Sequence, residues 1–217
     1  MGTAMFPLGA VLFPHTPVAL RIFEERYLVM LGRLLDETDP AFGVVLIERG
    51  TETGGGDQRF TLGTMAQLSH VVPQAGQMQV VAQGTERFEI VQWLEDAPYP
   101  RADVRPLPDL EWNEALLPLL EEAEKIVRRV LGKAQQFGGT RWAPEVELSE
   151  QPLPRAWQIA AIAPLGALDQ MELLRSATVG GLLRATIDLT LAAEPLLGDP
   201  VPDGVIVVDD ASPDDEI

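Results

Sequence analysis

The 217-residue chain contains no cysteine, so disulfides, thiolate metal sites and thiol nucleophiles are all excluded as sources of stability or chemistry. Lysine is nearly absent too: Lys125 and Lys133 are the only two. A Ser–Lys protease dyad would have to use one of them, and both fall on a polar helix face rather than in the desolvated setting an activated nucleophile needs. Histidine is confined to His15 and His70, with no ligand pair of the H-E-x-x-H type, which leaves no histidine-based metal site to assemble. A phosphate-cradling loop is missing as well. Lys133 follows Gly132 but precedes Ala134, and Val127 stands where that motif needs its first glycine. No run approaches the ~18 uninterrupted apolar residues of a membrane span. The apolar start, Met1 to Leu20, lacks a basic leader and is interrupted by Pro7, Pro14 and Pro17, so it reads as structure rather than as an address. The expectation is a cytoplasmic protein with no cofactor, no metal and no membrane partner.

Basic charge is the other scarcity. Thirty-three acidic residues face 16 basic ones, a formal charge of −17, and the largest basic cluster is the pair Arg128 and Arg129. Counterion release from a phosphate backbone needs a basic stripe, so nucleic acid is excluded as a partner. What is present is an ordinary globular composition, 46% hydrophobic and 23% charged, long enough to bury its own core.

Strand-like runs occupy Phe42 to Glu48, Leu62 to Val72, Gln77 to Gln83, Arg87 to Leu94 and Ala102 to Leu107. Pro73 to Gly76 reads as a hairpin turn, and Gly84 with Thr85 as the next break, so consecutive antiparallel pairing is expected. Pro17 to Phe23 alternates as a further strand. Glu24 to Glu37 places Tyr27, Leu28, Leu31, Leu34 and Leu35 at helical spacing. Gly50 to Asp57 reads as a flexible connection. Beyond Pro106 and Pro108 the pattern turns helical: Leu110 to Phe137, closed by Gly138 and Gly139, then Pro154 to Ala163, Ala167 to Ala177 and Val179 to Glu194. The charges of the long helix, Glu121, Glu122, Glu124, Lys125, Arg128, Arg129 and Lys133, read as a solvated face ordered to suit the helix dipole. From Gly198 onward there are seven acidic residues, three prolines and no basic residue, and disorder is expected. The four-residue apolar island Val205, Ile206, Val207 and Val208 is a candidate interaction segment, able to add as a strand to a sheet edge.

Several blocks resemble the substrate-binding domain family of Lon proteases. They are Phe6, Pro7, Leu8 and Gly9, then Val11 to Pro14, Pro17 and Leu20, then Phe23, Glu24, Arg26 and Tyr27. After them come Gly63 and Thr64, then Gly84, Arg87, Phe88 and Ile90, and finally Tyr99 to Val104. They occur in order and at family-like spacing. The resemblance implies an α+β fold: a PUA-like β pseudo-barrel with one inserted helix at 1–108, a helical bundle at 109–197 and an acidic tail at 198–217. Full Lon proteases continue into an ATPase and a protease, so the resemblance implies neither activity here. Most of these motif residues are expected to be structural, since the prolines fix chain direction and the glycines permit strand bends. Arg87, an arginine in an apolar strand, needs a partner, and Glu24 or Glu25 is the expected one. Trp93, Trp112, Trp142 and Trp157 are scattered and expected in the core.

The function so implied is a non-catalytic polypeptide-binding or adaptor module for unfolded or protease-targeted proteins, with a protein client and a protease as partners, and self-association left open. The alternatives are a small-ligand sensor of the cereblon kind and a small-molecule enzyme built on an inter-domain carboxylate site.

Overall fold

The computed structural model describes residues 2–49, 58–74, 76–137 and 140–197. Among the described residues there are six strands and five α-helices: β1 Thr3–Leu8, β2 Pro17–Ile22, α1 Glu25–Leu35, β3 Ala41–Arg49, β4 Gln58–Gln74, β5 Gln77–Leu94, β6 Arg101–Pro106, α2 Leu117–Gln136, α3 Pro152–Ile162, α4 Ala167–Leu174 and α5 Val179–Ala193. The expectations for Gly50–Asp57, Gly138, Gly139 and the segment from Gly198 onward fall outside the described residues.

Strands β3 to β6 pair consecutively and antiparallel, as expected. The first two strands do not follow that rule. β1 runs parallel to β3, with Pro7 opposite Val45, and β2 pairs with the first half of β5. β1 escaped the sequence reading because Pro7 argues against a strand. The proline is tolerated because β1 also pairs with β6 only at Thr3 and Ala4, so at Pro7 that side carries no ladder. Since β6 pairs with both β1 and β5, five strands close into a ring, with β2 attached outside it.

The break expected at Gly84 and Thr85 is absent, because β5 is continuous over 18 residues. Thr64 faces Arg87 and Ala66 faces Gly84, so Thr85 and Glu86 together oppose Met65. That is a bulge. It bends β5 without ending it, and β5 changes neighbour there, from β2 up to Gln83 to β6 from Phe88 onward. The expected hairpin before it is present: Gln74 pairs with Gln77, and Gly76 takes φ +82°, a conformation natural to glycine.

The long helix starts later than its apolar pattern suggests. Leu110 is buried but not helical, and Asn113 opens a short 3-10 turn by accepting the Ala115 N–H at 2.9 Å. Pro118 then sits in the first turn of α2, where its missing N–H costs nothing. Thr178 caps α5 by accepting the Gly181 N–H at 3.0 Å.

Three apolar clusters hold the molecule. One lies inside the strand ring around Met5, Val45, Phe88 and Ile90, and a second joins the sheet to α1 through Tyr27, Met30, Leu31 and Leu34. The third is shared. Val11, Phe13, Leu46 and Leu62 from the strand half enter the same core as α2, α3, α4 and α5. Phe88 fits only because Gly63 faces it across the ladder, where a Cβ would run into the Phe88 ring and the Val44 carbonyl.

A Cβ at Gly84 would collide with the Phe13 carbonyl oxygen, a backbone atom that cannot swing aside. Gly84→Ala is therefore expected to destabilise by about 2–3 kcal/mol in urea unfolding. Gly32, exposed on α1 with no atom within 4 Å of its would-be Cβ, is the control. Gly32→Ala should stabilise by about 0.5–1 kcal/mol.

Candidate functional site

The turn between β1 and β2 is the meeting point of the sequence motifs. Thr64 Oγ1 donates to the Leu12 carbonyl at 2.6 Å, and Thr16 Oγ1 donates to the Phe13 carbonyl at 2.7 Å. From the bulged strand, the Gly84 N–H donates to the Thr16 carbonyl and the Gly84 carbonyl accepts the His15 N–H, both at 2.8 Å. His15 holds φ 60°, a left-handed conformation that β-carbon sterics make unusual outside glycine. Two helical residues grip the same turn. Gln158 Nε2 donates to the His15 carbonyl at 3.0 Å, and the Phe13 ring lies 6.0 Å from Trp157.

Arg87 adds the second tie between the halves. It is buried, and the expectation that it needs a partner is correct, but Glu24 and Glu25 are not that partner. Its guanidinium donates to the carbonyls of Leu174 at 2.9 Å, Ser176 at 2.7 Å and Pro108 at 3.1 Å, and lies 5.1 Å from the Trp157 ring centroid. A cation placed at the C-terminal end of α4 meets carbonyls that have no partner within the helix. Burial pulls the Arg87 pKa below the usual guanidinium value, and Asp109 opposes that shift. Glu24 instead holds Arg26 at 3.0 Å, and Arg26 lies over Tyr27, which stacks 4.4 Å from Phe6. Phe23 alone among the motif aromatics is exposed, at 59%.

Beside this turn lies a cleft of about 680 Å³. One wall is Leu8, Ala10 to Leu12 and Thr16 to Val18, the other the end of α2 with Thr140 to Trp142, and Ala161 to Leu165 with Gln170 form a third side. Leu196 and Leu197 stand at its rim. Among the described residues, Arg141 is the charged group of its lining and no carboxylate lines it. Among the motif residues Leu8, Val11, Leu12 and Pro17, with their neighbour Thr16, reach the cleft; Pro7, Phe13, Pro14, Gly63, Thr64, Gly84, Arg87 and Phe88 build the frame behind it. The helical lining escaped the sequence reading, where Phe137, Leu196 and Leu197 were the available signals: apolar residues at element ends. Trp157 is buried, Trp93 and Trp112 are half-buried against the cores, and Trp142 is half-buried and lines the cleft. Val205, Ile206, Val207 and Val208 lie outside the described residues.

The charges of α2 are more than a solvated face. Glu121, Glu122 and Lys125 are exposed, but Glu124 accepts from Arg128 Nε at 2.7 Å and Arg155 Nε at 2.6 Å. Burial raises the Glu124 pKa, and those two hydrogen bonds more than offset it, so the carboxyl lies below its ordinary value. Arg128 also donates to the carbonyls of Pro144 and Val146, which fixes the strand of loop that borders the cleft. Arg129 and Lys133 both hold Glu194, pinning the 3-10 turn Glu194–Leu197 against α2 and so placing Leu196 and Leu197 at the rim. The paired cations push the Glu194 carboxyl down to about 2. Among the described residues no group of His, Cys, Asp and Glu could hold a metal ion, and no helix is long and apolar enough to cross a membrane.

Two outcomes follow from these contacts. Arg87→Ala leaves three carbonyls without their donor and should cost about 3 kcal/mol of stability in denaturant unfolding, with Arg87→Lys intermediate because an ammonium cannot span them in one plane. Glu194 has a depressed pKa, so its clamp is fully present above the ordinary carboxylate range and is lost as pH falls through about 2. Amide exchange at Leu196 and Leu197 should therefore stay slow from pH 7 to pH 4, and Glu194→Gln should accelerate it throughout that range.

The comparisons with known proteins agree on one family. The model of the ATP-dependent protease La (LON) substrate-binding domain matches residues 3–191. The Lon protease of Koribacter versatilis (strain Ellin345) is 30% identical over 177 residues, which cover 78% of this chain and 21% of that protein. The chain thus corresponds to a minor part of that relative's length. Among solved structures, the Lon N-terminal domain protein from Xanthomonas campestris is 24% identical, with a TM-score of 0.55 over 82% of this chain and 92% of that one. The N-terminal domain of the Mycobacterium avium complex Lon protease is 16% identical, with a TM-score of 0.61 over 88% and 98%. These two show the fold, a mixed six-stranded sheet with five helices, and the family model, matching residues 3–191, establishes that this chain belongs to the Lon substrate-binding domain family.

Proposed function

We propose that the chain binds extended or partly unfolded polypeptide in the cleft beside the β1–β2 turn and acts as a non-catalytic adaptor in the cytoplasm, presenting bound chains to a protease partner. The observation that carries this reading is the continuity of apolar surface across the cleft and out onto its rim, where Phe137 is 55% exposed and Leu196 85% exposed. A small enclosed ligand has no use for apolar groups outside its cavity, whereas a chain passing through would cover them. The family's description as a substrate-binding domain of an ATP-dependent protease supports the same class of ligand. The closed strand ring supports reading the first half as a PUA-like pseudo-barrel, and α2 to α5 support reading the second as a helical bundle, at the boundaries 1–108 and 109–197.

The interaction is mainly apolar, so a charge placed in the cleft should weaken it by desolvation. Leu165→Asp and Phe137→Asp are each expected to reduce affinity for a reduced, carboxymethylated test polypeptide by about tenfold or more, read by fluorescence anisotropy. Val91→Asp, on an exposed strand position away from the cleft, should leave it unchanged. Equal losses in all three variants would move the binding surface elsewhere.

A further inference from the structure

The cleft has an occupant available within the same chain. The described structure reaches Leu197 at the rim of the cleft, and the sequence continues from there. Seven residues, Gly198 to Gly204, separate that rim from Val205, Ile206, Val207 and Val208, the one apolar run in a segment otherwise rich in aspartate and proline. A linker of that length has an r.m.s. reach of roughly 15 Å if it behaves as a flexible coil. The starting point is already at the cleft mouth, so the island needs no long excursion to enter.

Charge supports the same placement. Arg141 lines the cleft and, among the described residues, takes part in no ion pair; its guanidinium lies 5.3 Å from the Trp142 ring centroid. The island is bracketed by Asp203 on one side and Asp209 and Asp210 on the other. Among the described residues the cleft lining carries one cation, Arg141, and no carboxylate, which matches an apolar run flanked by carboxylates. The Glu194 clamp contributes as well, because pinning Glu194–Leu197 to α2 fixes where the continuing chain departs.

We propose that Val205–Val208 seats in the cleft of its own chain, occupying the polypeptide site in cis and competing with any client that binds there. The proposal rests on the polypeptide-binding reading of the cleft for its consequence, but not for the contact itself. A tethered segment acts at millimolar effective concentration, so even a weak contact suffices to hold off a dilute client. It also describes the client: a short β-branched or aliphatic run with acidic flanks binds, and a basic flank is disfavoured by Arg141.

The absence of cysteine allows a direct test. In the full chain, Val207→Cys gives a single attachment point for benzophenone maleimide, and the adducts formed on irradiation are mapped by mass spectrometry. The expected result is intramolecular adducts concentrated in residues 8–18, 131–142 and 161–170, with a yield independent of protein concentration. Adducts scattered over the surface, or adducts to a second copy that grow with concentration, would overturn the proposal. In parallel, a chain lacking residues 198–217 should bind the carboxymethylated test polypeptide about tenfold more tightly than the full chain. Cleft adducts with no polypeptide binding by either chain would keep the internal occupant and refute the function. Equal binding by both chains with scattered adducts would do the reverse.

Discussion

Three segments far apart in sequence depend on a single tight turn. The carbonyls of Leu12, Phe13, His15 and Thr16 accept hydrogen bonds from Thr64, Thr16, Gln158 and Gly84, so β4, β5 and α3 are all registered against one loop. The turn lies in the interior, where an unpaired carbonyl is expensive, and this is why its neighbours are constrained so tightly. Gly84 must lack a side chain to let its backbone reach Thr16, and Thr64 must carry a hydroxyl to reach Leu12. Arg87, three residues beyond Gly84, then carries the same strand's hold across to α4 and Pro108.

The cleft follows from that arrangement. Its strand-side wall is the outer surface of the turn, and its helical walls are placed by the core that Val11 and Phe13 share with α2 to α5. Polar bonding is spent behind the wall, and the exposed side is left with apolar side chains and a few hydrogen-bonding groups. Such a surface favours ligands that are apolar and variable in sequence, since it offers few directional contacts that would demand one partner. On the proposed reading, specificity at the cleft falls to charge through Arg141.

The strand and helix boundaries were largely readable from alternation and helical spacing, and the motif blocks pointed to the family. Four features were not readable, each for a physical reason. β1 was hidden because the cost of Pro7 in a strand depends on whether the neighbouring ladder reaches it, a tertiary fact. Gly84 and Thr85 look the same in sequence whether they make a turn or a bulge; the difference is set by β6, which takes over pairing where β2 stops. The partner of Arg87 was sought among carboxylates because charge suggests charge, but the ends of α4 and of the inter-half linker present carbonyls, which carry no sequence signature. The cleft itself is not legible in the sequence, because its helical lining residues Leu131, Ala134, Ile162 and Ala163 read as ordinary core positions.

On the proposed reading, extended polypeptide binds in this cleft and not on the open strand edges. Hydrogen exchange of the full chain with and without saturating carboxymethylated polypeptide tests it most directly. Slowed exchange is expected in residues 8–18, 131–142 and 161–170, with the rest of β2 and the β4–β5 hairpin tip unchanged. Protection confined to β2 or the hairpin, with the cleft segments unaffected, would contradict it.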